Sequence, residues 1–241
     1  MSGHSKWSNI KRKKEKTDSQ RAKIFTKIGR ELSVAVKEGG SDPASNSKLK
    51  DCIAKAKSNN VPNDNIERII KKAVGESGTN KYETITYEGY GAGGVAFMVE
   101  TLTDNKNRTA SNIRYYFDKY CGNLGTTGCV SFMFSPKGII IVKNENFTEE
   151  KIMEDAINFG ATDFNFEDDE SVIITQRETL YDVYQKLIDS EYKCISAQIE
   201  MIPGNYTQIS DEGIKAKIET LIEVLEEDDD VQNIWHNLQE E

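Results

Sequence analysis

Side chains that perform acid–base or nucleophilic chemistry are scarce in this chain of 241 residues. The sequence has two histidines, His4 and His236, which lie at its opposite ends. A Ser-His-Asp or Cys-His catalytic arrangement would have to recruit one of them. The H-E-x-x-H, G-x-S-x-G and G-x-x-x-x-G-K-[ST] motifs are absent from the sequence. We therefore predict that the protein has no catalytic residues and is not an enzyme.

The cysteines also argue against metal chemistry. Cys52, Cys121, Cys129 and Cys194 form no C-x-x-C pair, and no histidine lies near any of them in the sequence. Structural zinc sites draw their ligands from closely spaced Cys and His pairs. We expect reduced, buried thiols in a reducing compartment. The sequence therefore predicts no metal site and no cofactor.

One glycine motif matches a cofactor-binding pattern in its letters. Gly89, Gly91 and Gly94 fit G-x-G-x-x-G. In dinucleotide-binding proteins this motif follows a strand and opens a helix. Here a strand-like alternation precedes the motif, and the apolar run 95–99 follows it. We therefore predict a glycine-rich β-hairpin at this place.

The strongest functional signal is the segregation of charge along the chain. Residues 3–37 contain eleven Lys or Arg and three Asp or Glu, a net charge of +8, whereas the whole chain carries −9. Residues 1–79 contain 18 basic and 9 acidic residues, and residues 80–241 contain 13 and 31, so their net charges are +9 and −18. A cationic arm on an acidic body predicts binding to a polyanion such as nucleic acid.

We expect the nucleic-acid contacts to come from the arm, from the polar faces of three predicted helices and from a polar loop near residue 105. The loop has a second interpretation of equal strength, as a helix N-cap and hydrogen-bonding hub. The candidate contact residues are Lys6, Lys11, Arg12, Lys13, Lys14, Arg21, Lys23, Lys27, Arg30, Lys55, Lys57, Arg68, Lys71, Lys72, Asn105, Asn107 and Arg108.

Hydrophobic periodicity divides the chain at about residue 80. Before that point, after an arm over residues 1–17, apolar residues recur every three or four positions. This spacing predicts a helix over 19–37, a second helix that starts at Asp42-Pro43, and a third that starts after Pro62. After residue 80 the apolar residues alternate with period two, which predicts strands.

The strand-rich part has a recognisable order. A hairpin, a helix and a strand over 129–134 come first, and a β-α-β-β-α-β order follows over 138–202. A short strand over 207–209, a helix and a strand over 231–235 end the chain. The acidic run 226–230 between that last helix and strand is interpreted as a solvated turn.

We predict an α+β multidomain fold, with an N-terminal helical domain followed by two α+β domains. One of these is ferredoxin-like (βαββαβ) and is inserted into the other, because the last β-α-β unit supplies the half that the first hairpin unit lacks. The predicted domains are 1–79, 80–134 plus 206–241, and 135–205.

The sequence also sets expectations about location. No apolar run approaches the roughly 20 residues that a membrane span needs. The N-terminus has no apolar core of the kind that a secretory signal contains. We expect a cytoplasmic protein with no membrane partner and no small-molecule substrate.

Longer motifs give this chain a family resemblance. They resemble those of the YebC/PmpR family over nearly the whole chain. The departures are Ala92, Lys106 and Cys129, where proline, arginine and serine are usual; lysine at 106 keeps the charge but lacks the bidentate guanidinium fork. The motifs are residues 3–7 (GHSKW), 39–43 (GGSDP), 62–68 (PNDNIER), 87–91 (YEGYG), 102–109 (LTDNKNRT), 122–125 (GNLG) and 227–232 (EDDDVQ).

The resemblance implies a helical N-terminal domain and two α+β domains, one inserted in the other. It also implies a cytoplasmic, DNA-binding transcriptional regulator without enzymatic activity. A mitochondrial relative is described as a translational activator of cytochrome oxidase, and bacterial members have been linked to stalled ribosomes. A translation factor associated with the ribosome or its RNA is therefore the alternative, and a protein-binding module is a third hypothesis. We expect a monomer or a weak dimer.

Overall fold

The computed structural model describes residues 18–75, 82–145, 147–167 and 169–239. The predicted arm, residues 1–17, lies outside the described residues. The described residues form two compact units. The first unit contains residues 82–135 and 202–239, and the second contains residues 24–75 and 136–201. Among the helices of this described part, none is both long and apolar enough to cross a bilayer.

Helices fill the described chain up to residue 75, and strands alternate with helices after that. This order, with its two antiparallel sheets, confirms the predicted α+β multidomain class. In chain order the elements are α1 (Asp18–Gly39), α2 (Ser47–Ser58), α3 (Asn63–Gly75), β1 (Glu83–Tyr90), β2 (Ala96–Thr103), α4 (Lys106–Lys119), β3 (Asn123–Leu124), β4 (Phe134–Lys143), α5 (Glu149–Phe159), β5 (Asp163–Phe166), β6 (Glu170–Gln176), α6 (Leu180–Asp189), β7 (Cys194–Pro203), α7 (Glu212–Glu227) and β8 (Val231–His236).

Helices α1 to α3 pack around one apolar core. The residues that fill it recur at the three- and four-residue spacing that places side chains on one face of a helix. Leu32, Leu49 and Ala56 are fully buried in this core. Because the apolar stripes point inward, most of the lysines and arginines between them lie on the exposed faces of the helices.

Helix α2 starts later than the sequence predicted. Asp42 accepts a hydrogen bond from the Ala44 N–H and forms a turn, and the helix begins at Ser47. Asn46 is its N-cap, because the Asn46 side chain accepts a hydrogen bond from the Leu49 N–H at 3.0 Å. The Asn46 amide also donates to the carbonyls of Ala35 and Gly40 at 2.8 Å. One side chain therefore satisfies backbone groups at the end of α1 and at the start of α2.

The first unit contains a four-stranded sheet in the order β3-β1-β2-β8. The antiparallel pairing of β1 with β2 ends at Tyr90↔Ala96, which confirms that the glycine-rich motif is the turn of a hairpin. Strand β8 comes from the far end of the chain and pairs antiparallel with β2. Phe97 of β2, Phe117 of α4 and Leu221 of α7 are buried together in the core of this unit.

The second sheet has the order β5-β6-β4-β7. Strand β6 is antiparallel to both β4 and β5. Helix α5 connects β4 to β5 and helix α6 connects β6 to β7, so this part of the second unit has the order βαββαβ and is ferredoxin-like. Ile152 of α5 and Leu187 of α6 pack against Ile140 and Ile173 of the sheet, and all four side chains are fully buried.

Three strand predictions are wrong in their extent. Residues 129–133 form a loop and a short 3₁₀ turn, and the strand begins at Phe134. Residues 207–209 make a single bridge, Thr207↔Leu238, and no strand. Strand β2 continues to Thr103, so the predicted polar loop after it is short. In each case hydrogen bonds to distant residues decide where the strand ends.

Candidate nucleic-acid interface

The sequence-predicted contact residues divide into four groups by position. Five of them, Lys6, Lys11, Arg12, Lys13 and Lys14, lie outside the described residues. Arg21 falls in the first turns of helix α1. The others lie on helices α1 to α3, or at the start of helix α4 in the first unit.

Helix α1 carries three of the candidates on one side. Lys23, Lys27 and Arg30 follow one another at four- and three-residue spacing, so they lie along one face of the helix. Lys23 is exposed, whereas Lys27 and Arg30 are half-buried. This face differs from the apolar stripe that includes Ile28 and Leu32, which is buried.

On helix α2, one predicted contact residue has a structural partner, and one further lysine is exposed. The Lys55 ammonium donates to both carboxylate oxygens of Glu31, at 2.8 and 2.9 Å, and both side chains are mostly buried. Lys55 therefore joins α2 to α1, and the structure gives it a structural role. Lys57 is exposed, and so is Lys50 seven residues before it, which places both on one face. Lys50 was not among the predicted contact residues, although its seven-residue spacing from Lys57 is visible in the sequence.

Helix α3 presents the clearest cationic face. Arg68, Lys71 and Lys72 are exposed and lie three and four residues apart. Ile66 and Ala73 of the same helix are buried in the core. Lys71 lies 3.6 Å from Glu67, and both side chains are largely exposed. Because exposed ion pairs of this kind contribute little to the free energy of folding, the pairing with Glu67 leaves Lys71 able to bind a phosphate.

The loop near residue 105 is the hydrogen-bonding hub that the sequence analysis weighed as one interpretation. Asn105 caps helix α4 by accepting a hydrogen bond from the Arg108 N–H at 3.1 Å. The Arg108 guanidinium donates to Asp230 at 2.7 Å and to Asp104 at 3.1 Å. These two bonds raise the pKa of Arg108, the Asp230 bond most strongly. Asn107 is exposed in the first turn of α4.

Asp230 shows that the acidic run 226–230 is not simply a solvated turn, which corrects the prediction. The Asp230 side chain is buried and accepts hydrogen bonds from Thr103 at 3.1 Å and Thr109 at 2.8 Å as well as from Arg108. Burial by itself would raise the pKa of Asp230, but the bonds from Arg108 and Thr109 outweigh it and lower the pKa. The burial of Asp230 cannot be predicted from the sequence, because nothing in the acidic run 226–230 distinguishes Asp230 from its neighbouring carboxylates.

The cysteines give no indication of a reactive or metal-binding centre within the described part of the chain. Burial raises the pKa of Cys52 and of Cys194 to about 12, which keeps both as thiols at neutral pH. Cys121 is exposed, and Cys129 is half-buried. No group of three or more His, Cys, Asp or Glu side chains in the described ranges is arranged to hold a metal ion.

The described N-terminal helices and the loops between them carry an excess of basic residues. Residues 23–75 contain eleven Lys or Arg and six Asp or Glu, a net charge of +5. Nine of the eleven cations are lysines, which bind phosphate as point charges. Such contacts fix position along a backbone and carry no base sequence information.

Two family models match this chain, one after the other along the sequence. Residues 5–76 match the model for the TACO1/YebC protein N-terminal domain, and residues 82–238 match that for the TACO1/YebC second and third domain. A protein of Acetivibrio thermocellus is 53% identical over 238 residues, 98% of each chain. One from Clostridium tetani is 55% identical over 238 residues, 98% of this chain and 96% of the relative. Both bear the name "Probable transcriptional regulatory protein".

A solved structure shares the fold. The crystal structure of a conserved hypothetical protein from Aquifex aeolicus superimposes with a TM-score of 0.81 at 43% sequence identity. The alignment covers 94% of each chain. With both family models matched in sequence order and relatives similar over almost their full length, this chain belongs to the TACO1/YebC family.

Proposed function

We propose that this protein is a non-enzymatic, nucleic-acid-binding regulator of gene expression that acts in the cytoplasm. The observation that carries the proposal is the exposed cationic face of α3, formed by Arg68, Lys71 and Lys72. Lys50 and Lys57 add a second exposed pair on α2. The relatives' name supports a role in transcription regulation. For that role we propose DNA as the ligand.

Physical chemistry predicts how such a surface binds. Each phosphate that a lysine or arginine neutralises releases counterions, so the affinity falls steeply with salt. About six phosphate contacts would give a slope of roughly −5 for the logarithm of the affinity against the logarithm of salt concentration. This term acts on any duplex, so weak DNA binding by itself does not distinguish a transcription regulator from a factor that binds another nucleic acid.

A translation factor that binds ribosomal RNA is the second candidate. The preponderance of lysine over arginine on the helices favours it, because arginine supplies the bidentate contacts that most often read guanine in DNA. A lysine-rich surface suits recognition of a backbone shape, which is how proteins bind structured RNA. We expect a monomer or a weak dimer with no small-molecule substrate in either case.

One experiment separates the two candidates. The protein is mixed with ribosomes, with random duplexes and with promoter duplexes from its own genome, at several salt concentrations. A promoter bound at least about a thousandfold more tightly than random duplex, without ribosome association, supports the transcription regulator. Saturable ribosome binding with only nonspecific duplex binding supports the translation factor. No salt-sensitive binding to any of them contradicts the proposed function.

A further inference from the structure

An exposed aromatic ring lies on a rigidly held loop of the first unit. Phe132 is 79% exposed, more than any other large apolar side chain among the described residues. It lies in the short 3₁₀ turn Ser131–Met133, after the loop that was predicted to be a strand. Because exposure of a phenyl ring to water is unfavourable, a ring held outward in this way is a feature to explain.

A buried carboxylate holds the residues before the ring. Glu88 of β1 is buried and accepts hydrogen bonds from three backbone N–H groups: Gly128 and Ser131 at 2.8 Å and Val130 at 2.9 Å. Charge-assisted bonds of this kind are roughly twice as strong as neutral ones. Tyr90, two residues further along β1, donates through its hydroxyl to the Cys129 carbonyl at 3.2 Å. The loop from 128 to 131 is therefore attached to one strand of the sheet at several points.

The residue after the ring is held as well. The Met133 N–H donates to the Val130 carbonyl at 2.9 Å, and the Met133 carbonyl accepts from the Gly204 N–H at 2.8 Å. Backbone on both sides of Phe132 is thus anchored while its side chain is exposed. A ring whose backbone is already ordered loses little conformational entropy on binding, which is the benefit of preorganisation.

Charge indicates which ligand this loop accepts. Residues 119–135, the part of this segment that belongs to the first unit, contain no Asp or Glu and one lysine, although residues 80–241 contain 31 acidic residues. Thr126 and Thr127, both exposed, lie on the same loop. A segment without carboxylates in an acidic part of the chain is compatible with a ligand that carries phosphates.

We propose that Phe132 is a stacking platform for an unpaired base of a single-stranded or bulged nucleic acid, with Glu88 as the residue that positions its loop. The proposal rests on the proposed function and adds a contact for bases to the backbone contacts of the helices. Stacking is tolerant of base identity, because every base presents an aromatic face. A base inside a regular duplex is already stacked and is not accessible to the ring.

The test measures binding of two probes by the full chain. One probe is a 20-nucleotide oligouridylate with a central 2-aminopurine, whose fluorescence responds to stacking, and the other is a regular duplex of the same length. The variants are Phe132→Ala, Phe132→Tyr, which keeps a ring, and Ile157→Ala. Ile157 is 59% exposed on helix α5 of the second unit and serves as the matched control for loss of a surface apolar side chain. Thermal unfolding of each variant checks that the fold is kept.

We expect Phe132→Ala to weaken binding of the single-stranded probe by about 5- to 100-fold and to remove the fluorescence change. The affinity of Phe132→Ala for the duplex should stay within about twofold of that of the original protein. Phe132→Tyr and Ile157→Ala should bind both probes as the original protein does. Glu88→Gln should weaken single-strand binding while leaving duplex binding unchanged.

Unaltered binding of the single-stranded probe by Phe132→Ala would overturn the proposal while leaving the proposed function intact. If the original protein bound neither probe in a salt-dependent way, the proposed function itself would fail, and this inference with it.

Discussion

The guanidinium of Arg108 lies 2.7 Å from the carboxylate of Asp230, and this contact joins the first turn of helix α4 to the residue before strand β8. The two residues are 122 positions apart in the sequence. Asp230 also receives the hydroxyls of Thr103 and Thr109, so the end of β2, the start of α4 and the start of β8 meet at one carboxylate. The contact is part of the first unit's architecture, because it links three elements of that unit through one carboxylate.

Replacing Asp230 by alanine should destabilise the first unit. The change removes the carboxylate to which the Thr103 hydroxyl donates, whereas Thr109 keeps the Asn105 carbonyl as an acceptor. An unmet buried hydrogen bond costs about 1–3 kcal/mol of the free energy of unfolding. Urea denaturation measures this difference. Asp118→Asn is the control, because Asp118 is exposed on α4, and its free energy of unfolding should change by less than about 0.5 kcal/mol. If Asp230→Ala were as stable as the original protein, the hydrogen bonds to Asp230 would make no net contribution to the free energy of unfolding.

A fall in pH should lower the free energy of unfolding, in part through protonation of Glu88. Burial favours the neutral form of Glu88, but the N–H groups of Gly128, Val130 and Ser131 together outweigh it and lower its pKa. A depressed pKa means that this stabilisation is complete above the unfolded value of about 4.3 and is lost as the pH falls through the folded pKa.

Glu88→Gln should therefore reduce the free energy of unfolding by about 1–3 kcal/mol at pH 7 and by less at pH 3. Urea denaturation at pH values from 7 to 3 follows the difference. Glu83→Gln, on an exposed position of the same strand, should show no such pH-dependent difference. A constant difference in the free energy of unfolding between Glu88→Gln and the original protein over this range would contradict a lowered pKa of Glu88.

Two lysines on helix α2 should respond to mutation in opposite ways. Lys55→Ala removes the partner of the mostly buried Glu31 and should cost about 1–2 kcal/mol of the free energy of unfolding, with little effect on duplex affinity. Lys57→Ala removes an exposed cation and should leave stability unchanged while lowering the salt slope of binding by about 1. Urea denaturation and salt-dependent binding to a random duplex test both. If Lys55→Ala impaired binding without loss of stability, our structural assignment of Lys55 would be wrong.

The cationic face of α3 should contribute several phosphate contacts. Replacing Arg68, Lys71 and Lys72 together by alanine should lower the magnitude of the salt slope for duplex binding by about 2–3. In the matched control, three exposed lysines of the second unit, Lys151, Lys186 and Lys193, are replaced by alanine. This variant changes the net charge by the same amount. Equal losses in the two triple variants would mean that net charge, and not the α3 face, determines binding.

The N-terminal arm gives the last prediction. Reversing Lys11, Arg12, Lys13 and Lys14 to glutamate should weaken nucleic-acid binding strongly, because it replaces four attractive charges by four repulsive ones. The melting temperature should stay the same. Binding affinity and thermal unfolding are measured on the same preparation. Unchanged affinity would exclude the arm as a contact and leave the helices as the whole of the proposed interface.

The sequence by itself determined the order and type of most elements. Helices α1 and α3 follow from apolar residues at three- and four-residue spacing, and the βαββαβ order follows from the switch between that spacing and period two. These patterns are local, because each helix or strand must bury one face whatever it packs against. The charge difference between the N-terminal region and the rest of the chain is also a property of sequence alone.

Only the tertiary structure decided which charged residues have structural roles. Lys55 and Lys57 look equivalent in sequence, but one pairs with Glu31, 24 residues away, and the other is exposed. Asp230 and Glu88 resemble other acidic residues until the fold brings distant hydroxyl and N–H groups to them. The physical reason is that a carboxylate or ammonium becomes buried only where partners from remote segments compensate its desolvation, and no local pattern encodes those partners.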